Sequence, residues 1–311
     1  MTILVAADFM PDEWAAWWPE LRAALPGERL VRNRTAVPDE SIDAALVANP
    51  PAGTLRGLPG LRLVQSLWAG VDGLLADASL SADVPLARMV DPSMNEAMAQ
   101  TALWAVLALH RGFFDCAGQQ QRAEWHPHPQ RRADEVNVAV LGLGQMGRAT
   151  AQRLVANGYR VTGWSTHAKA LEGVTTYAGP AALMPVLATA QIVVNLLPLT
   201  PATCGLLNRQ TLAAMPHGAG LVNLARGAHV VEADLLEALD SGHLGHAVLD
   251  VFHTEPLPAA HPFWCHPKVS VLPHIAAQTD PRSAARVAAA NVHALREGRP
   301  FENVVDRARG Y

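Results

Sequence analysis

The stretch Val138-Ala-Val-Leu-Gly-Leu-Gly-Gln-Met-Gly147 decides the fold. A four-residue apolar run enters a Gly-x-Gly-x-x-Gly pattern with glycines at 142, 144 and 147, and a helical pattern follows from Gln145 to Asn157 and stops at Gly158. Glycines so spaced serve ordinary tight turns as well, but a strand before them and a helix after them is the context of a dinucleotide site. Gly142 permits the turn, Gly144 lets the backbone approach a pyrophosphate, and Gly147 lets the helix lie close to the sheet. The free N–H groups and dipole at the helix start, around Gln145 and Met146, then favour phosphate.

Outward from this point the chain alternates short β-like runs with helical patterns, which implies parallel βαβ units. Downstream, residues 159–164, 192–197, 220–224, 247–251 and 269–272 read as strands. Upstream, residues 3–6, 44–47, 61–66 and 86–90 do the same. Residues 12–24 read as a helix with Trp14, Trp17, Trp18 and Leu21 at spacings of three and four, the pattern of one apolar face on a core. A long apolar helix is expected from Asn95 to about Phe114. The polar stretch Gln119–Asp134, with Trp125-His-Pro-His-Pro inside it, reads as a boundary and as a surface arm suited to covering a partner subunit. Residues 281–295 look helical and cannot add to a closed sheet alone, so they are expected to return to the first domain. The expected organisation is a discontinuous substrate domain, residues 1–98 plus 281–311, and a nucleotide-binding domain, residues 99–280, in an α/β protein.

Composition narrows the function. The 311 residues are 50% hydrophobic and 17% charged, as in a well-buried α/β protein. A net charge of −4 with scattered Lys and Arg argues against a nucleic-acid partner. No uncharged stretch reaches the ~18 apolar residues needed to span a bilayer. The start of the chain lacks the basic region of a signal peptide and reads as a first strand. Cys116, Cys204 and Cys265 are far apart, with no Cys-x-x-Cys, so a soluble protein of the reducing cytoplasm with ordinary buried thiols is expected.

Three polar residues each close an apolar run: Arg226 in Asn223-Leu-Ala-Arg-Gly, Glu255 in Leu249-Asp-Val-Phe-His-Thr-Glu-Pro, and His274 in Val271-Leu-Pro-His. Open α/β sheets place ligands at strand carboxyl ends. A guanidinium matches a carboxylate and polarises a neighbouring ketone oxygen. An imidazole delivers or removes a proton, and a carboxylate beside it holds the ring and favours its charged form. Each alone reads as structural. After a dinucleotide fingerprint they form the parts needed to move a hydride to or from a carbonyl next to a carboxylate. Cofactor choice is read about 20 residues past the fingerprint, where an acid would accept from the ribose of NAD. Here Trp164-Ser165-Thr166-His167 and Lys169 stand instead, with hydroxyls and positive charge for a 2′-phosphate, so NADP(H) is expected over NAD(H). No Arg is present for a bidentate clamp, which makes the preference modest, and an ordinary polar loop is the alternative.

With these motifs, and with Leu67-Trp-Ala-Gly-Val-Asp, Asn195-Leu-Leu-Pro-Leu-Thr, Pro273-His and Asn303-Val-Val-Asp-Arg, nearly the whole chain resembles the D-isomer-specific 2-hydroxyacid dehydrogenases. Within them it is similar to the glyoxylate/hydroxypyruvate reductase A-like branch. The resemblance implies two similar parallel-sheet domains of Rossmann/flavodoxin-like type with the active site in the cleft between them, and a homodimer. It implies that Arg226 binds substrate, that His274 is the acid/base and that Glu255 is its partner. It further implies that backbone N–H groups at Ala69 and Gly70 hold the substrate carboxylate. Leu197, Pro198, Thr203 and Ala225 are implied to line the cofactor, and Asp250 to face the nicotinamide carboxamide. Trp68 departs from the small residue common in this branch. It either narrows the substrate pocket or packs as a loop aromatic.

The expected reaction is NADPH-dependent reduction of glyoxylate or hydroxypyruvate to glycolate or glycerate, with a larger 2-keto acid such as phenylpyruvate as the alternative substrate. A related corepressor uses the same fold as a nucleotide-sensing interaction protein, but a sensor has no need of all of Arg226, Glu255 and His274. The histidines at 243, 246, 253, 261 and 266, with Cys265, match no zinc spacing, and no metal is expected.

Overall fold

The chain folds around two separate parallel sheets, and a computed structural model describes all residues, 1–311. The first compact unit comprises Met1–Met94 and Thr279–Tyr311, and the second comprises Asn95–Gln278.

In the first unit the strands are β1 (Thr2–Ala7), β2 (Arg29–Val31), β3 (Ile42–Ala48), β4 (Leu63–Ser66) and β5 (Leu86–Ala87). They lie in the order β2-β1-β3-β4-β5, all parallel. Every residue of β3 is buried, as befits a central strand covered on both faces. Helices α1 (Pro11–Ala24) and α2 (Asp72–Ala76) follow β1 and β4. The expected strand 86–90 is only two residues long, because the chain leaves the sheet after Ala87 to run beside residues 303–305. The expected tryptophan face of α1 is also only partly a core face. Trp17 and Leu21 are buried, whereas Trp14 and Trp18 are half-exposed and the Arg32 guanidinium lies over both rings, at 4.8 and 5.2 Å.

The helix at the end of the chain, residues Pro281–Glu297, belongs to this unit. Asp280 caps it by accepting from the Arg282 amide at 2.9 Å, Pro281 occupies the first turn, and Gly298 at φ +65° ends it. Ala284, Ala285, Ala288, Val292 and Leu295 supply its buried face. Two polar ties fix it. Arg296 pairs with Glu28 at 2.7 Å and with Asp43 of β3, and Asn291 donates to the buried Gln65 of β4 at 2.7 Å. The Arg296 hydrogen bond is also the main reason that Glu28 titrates below the ordinary carboxylate value.

The second unit holds β6 (Asn137–Leu141), β7 (Arg160–Ser165), β8 (Val174–Ala178), β9 (Ile192–Asn195), β10 (Ala219–Asn223), β11 (Leu244–Leu249) and β12 (Val269–Val271), in the order β12-β11-β10-β9-β6-β7-β8, all parallel. Alternate residues feed the two faces: Val138, Val140, Ile192 and Val194 join one core cluster, and Leu141, Val193 and Leu221 join the other. The helices are α3 (Pro92–His110), α4 (Phe113–Gln121), α5 (Gln145–Ala156), α6 (Leu183–Thr189), α7 (Arg209–Ala213), α8 (Glu232–Asp240) and, closing the chain in the first unit, α9 (Pro281–Glu297). The single helix expected over 95–114 is two helices, because Gly112 takes the left-handed conformation at φ +65°. The expected arm starts as the end of α4 and then runs without regular structure past Trp125, which is 92% exposed. No helix is long and apolar enough to cross a membrane.

Candidate active site

The order of the larger sheet reverses at β6, which lies between β7 and β9. Such a reversal opens a crevice at the strand carboxyl ends, and the glycine-rich loop is there. Gly142 adopts φ +94°, and a Cβ at Gly147 would sit 1.7 Å from the Gly142 carbonyl oxygen, so neither position accepts a side chain. Gly144 is different: a Cβ there would meet no protein atom within 4 Å. It is also the N-cap of α5 and offers no side-chain acceptor to the helix. The open space above Gly144 and the uncapped start of α5, with Gln145 and Met146, fit a dinucleotide pyrophosphate.

The end of β7 comes to the same loop. The Lys169 ammonium donates to the Leu143 carbonyl at 2.9 Å, while Thr166 and His167 are exposed and bonded to each other at 3.0 Å. Two residues expected here are committed elsewhere. Trp164 is 4% exposed in the core and its indole donates to Gly179 at 2.9 Å. The Ser165 hydroxyl donates to the His167 carbonyl at 2.7 Å rather than pointing out toward a phosphate.

At the end of β9, Leu197 is buried next to Pro198, and the buried Thr203 donates to the Pro198 carbonyl at 2.7 Å while accepting from the Thr200 amide at 2.8 Å. That threonine closes the loop on itself. Sequence reading assigned no role to Asn195 or Asn223, which occupy the ends of β9 and β10 and are completely buried. Leu197 N–H donates to Asn195 Oδ1 at 3.3 Å, Asn195 Nδ2 donates to Asn223 Oδ1 at 2.9 Å, and Asn223 Nδ2 donates to the Arg226 carbonyl at 3.0 Å. The only signal was their repetition at the ends of two apolar runs.

Arg226 follows β10, its guanidinium turned back on the Ala225 carbonyl at 2.6 Å. Gly227 next to it is obligatory, since a Cβ would lie 1.9 Å from the Phe252 carbonyl carbon. That close approach brings the Arg226 loop against the loop that carries Glu255. Glu255 Oε1 accepts from the Phe252 amide at 2.8 Å and Oε2 accepts from His274 Nδ1 at 2.7 Å. This hydrogen bond occupies Nδ1 and leaves Nε2 as the ring nitrogen without a bond in the protein.

His274 is at φ +54°, a conformation rare for a side-chain-bearing residue. Asp250, at the end of β11, imposes it. Its carbonyl accepts the His274 amide at 2.9 Å, and its carboxylate accepts the Ile275 and Ala276 amides at 2.7 and 3.1 Å. Burial raises this carboxyl above its ordinary value, against the two amide bonds. Asp250 is therefore engaged by the histidine loop, a task the sequence reading did not foresee.

In the first unit, the Trp68–Ala69–Gly70 turn follows β4. The Trp68 ring packs against Phe9 and Trp17, with centroids 5.9 and 5.7 Å away, so it is an anchored aromatic of its own unit. Of the histidines at 243, 246, 253, 261 and 266, four have separate partners: His243 the Leu212 carbonyl, His246 Ser270, His261 Glu232 and His266 Asp240. No group of three or more His, Cys, Asp or Glu side chains is placed to hold a metal ion.

Comparison with known proteins supplies the context of this site. Residues 103–276 match the family described as D-isomer specific 2-hydroxyacid dehydrogenase, NAD binding domain. The chain is 43% identical over 308 residues to glyoxylate/hydroxypyruvate reductase A of Serratia proteamaculans (strain 568), covering 97% of each protein. A D-isomer specific 2-hydroxyacid dehydrogenase from Xanthobacter autotrophicus Py2, solved with NADPH and MES, is 41% identical and matches with a TM-score of 0.94 over 100% of this chain and 99% of its own. The NADPH-dependent glyoxylate/hydroxypyruvate reductase of Sinorhizobium meliloti, solved with NADP and sulfate, is 34% identical, with a TM-score of 0.92 over 100% and 99% of the two chains.

Proposed function

Because the chain belongs to the D-isomer-specific 2-hydroxyacid dehydrogenases, we propose that it reduces glyoxylate and hydroxypyruvate to glycolate and glycerate with NADPH. The observation that carries this reading is the 2.7 Å hydrogen bond from His274 to Glu255, on the sheet edge that also bears the glycine-rich loop and Arg226. The names of the Serratia and Sinorhizobium relatives support the substrate pair.

Hydride transfer is the chemistry a bound nicotinamide supplies. The protein's own groups do the rest. Arg226 binds the keto acid by charge-assisted hydrogen bonds to its carboxylate and polarises the ketone oxygen. His274 gives that oxygen a proton from Nε2, and Glu255 holds the ring and offsets its charge. The amides of Ala69 and Gly70 serve as donors to a carboxylate in the smaller unit, with Trp68 anchoring their turn. Leu197, Pro198, Thr203 and Ala225 line the dinucleotide, and Thr166, His167 and Lys169 favour a 2′-phosphate. NADH is the weaker cofactor. The three free cysteines, exposed rather than buried as the sequence suggested, support the reducing cytoplasm as the compartment, and the exposed Trp125 arm supports a homodimer.

Initial rates with NADPH and NADH across glyoxylate, hydroxypyruvate, pyruvate and phenylpyruvate test the proposal. Fast turnover with NADPH on glyoxylate and hydroxypyruvate is expected. Tight cofactor binding with no turnover on any acid would replace it with a nucleotide-sensing role, and a preference for phenylpyruvate would move it to larger substrates.

A further inference from the structure

Arg88 stands in the smaller unit with no task in the reaction as derived. It follows β5, and the backbone on either side of it is pinned. Its own N–H donates to the Asn303 carbonyl at 3.1 Å, and the Met89 N–H donates to the Trp68 carbonyl at 3.1 Å. Residues 88 and 89 therefore run directly alongside the Trp68–Ala69–Gly70 turn.

The guanidinium is partly withdrawn from water, and that burial alone pushes Arg88 below the ordinary arginine value. No carboxylate, carbonyl or aromatic ring pairs with its side chain. Arg296 of the same unit shows what a buried arginine otherwise requires, since it has both Glu28 and Asp43. A desolvated cation without a counter-charge is costly, and a cation kept in that state is compensated when an anion arrives. Its backbone is already held, so only the side chain remains to be ordered on binding.

We propose that Arg88 is a second recognition residue for the substrate and reads an oxygen function on C3, a hydroxyl or a carboxylate, beside the carboxylate held by the Ala69–Gly70 amides. Among 2-keto acids of three or more carbons the site then favours those oxygenated at C3, and alkyl or aryl 2-keto acids lose this contact; glyoxylate, which has no C3, neither gains nor loses it. The inference rests on the turn being the carboxylate site.

Hydroxypyruvate and pyruvate differ only in the C3 hydroxyl, so the ratio of their kcat/KM values reads Arg88 directly. In Arg88→Met that ratio should fall roughly tenfold to a hundredfold, the scale of a hydrogen bond to a charged group, and Arg88→Lys should restore part of it. Equal losses on both acids, or an unchanged ratio, would overturn the proposal. A measurement without turnover separates it from the reductase reading. Tartronate and lactate are titrated calorimetrically into the enzyme with NADPH, where donor and ligand are both reduced and nothing reacts. Wild type should bind tartronate about tenfold or more tighter than lactate, and Arg88→Met should not. If wild type reduces glyoxylate yet binds the two equally, Arg88 has no such role and the reductase reading stands. If tartronate is preferred but no acid is reduced, the recognition site stands and the reductase reading falls.

Discussion

Asn195 Nδ2 donates to Asn223 Oδ1 at 2.9 Å, and both side chains are fully buried. The bond joins the loop after β9, which carries Leu197 and Pro198, to the loop after β10, which carries Arg226. Asn223→Ala removes the acceptor for Asn195 and the donor to the Arg226 carbonyl, leaving buried polar groups unpaired at about 1–3 kcal/mol each. Urea unfolding should show that loss, and the KM for keto acid should rise more than the Kd for NADPH, because the Arg226 backbone loses its tie. Unchanged stability would show that the pair is dispensable.

His274→Ala should lower kcat by about 10²–10⁴, the usual range for a positioned acid, with NADPH affinity nearly intact. Near-normal turnover in that variant would remove His274 from the mechanism. Glu255→Gln should lower kcat by about tenfold to a hundredfold. Its Oε1 can still accept from Phe252, but an amide nitrogen then faces His274 Nδ1.

The two glycines at 144 and 147 should separate folding from binding. Gly147→Ala puts a methyl 1.7 Å from a backbone oxygen and should cost most of the soluble yield or several degrees of Tm. Gly144→Ala meets no protein atom and should melt like wild type, yet bind NADPH at least about tenfold more weakly. Fluorescence titration beside thermal melts decides it. Equal affinity for wild type and Gly144→Ala would mean that the phosphates lie elsewhere.

Acid stability should depend on Glu28. Its pKa is lowered in the folded protein, chiefly by the Arg296 hydrogen bond. The stabilisation is therefore present above the unfolded carboxylate value and is lost as pH falls through the folded one. Denaturant midpoints measured from pH 7 to pH 3 should fall more steeply for wild type than for Glu28→Gln. Parallel profiles would contradict this linkage. Asp250 has the opposite sign: burial raises it, so it favours the folded state more as pH drops.

Much of this was legible in the sequence because the candidate site residues close apolar strands. Arg226, Glu255 and His274 each end such a run, and the Glu255–His274 contact follows from two loops at one sheet edge. What stayed hidden depends on side-chain direction. Trp164 looked like a site residue, but the register of β7 turns its indole inward. Asn195 and Asn223 carried no assigned role until the strands were paired. Arg88 stood inside the expected strand 86–90 with no role of its own. Strand β8 escaped notice because its edge position leaves Thr175, Tyr177 and Ala178 exposed, so no buried run marks it, and the three residues of β2 are too few to show a period.

The polar ties of α9 set an order on biosynthesis. Gln65 and Asp43 wait for partners that lie 226 and 253 residues later in the chain. The first unit is thus completed only after the nucleotide-binding unit, which lies between these partners in the chain, has had its whole sequence available to fold. Until α9 arrives, the nascent first unit displays an uncovered sheet face with a stranded carboxylate in its central strand. Loss of α9 would harm the first unit, whose ties to it at Asp43 and Gln65 lie more than two hundred residues earlier, rather than the unit just before it. The signature is aggregation through the five-stranded sheet with an intact dinucleotide fold.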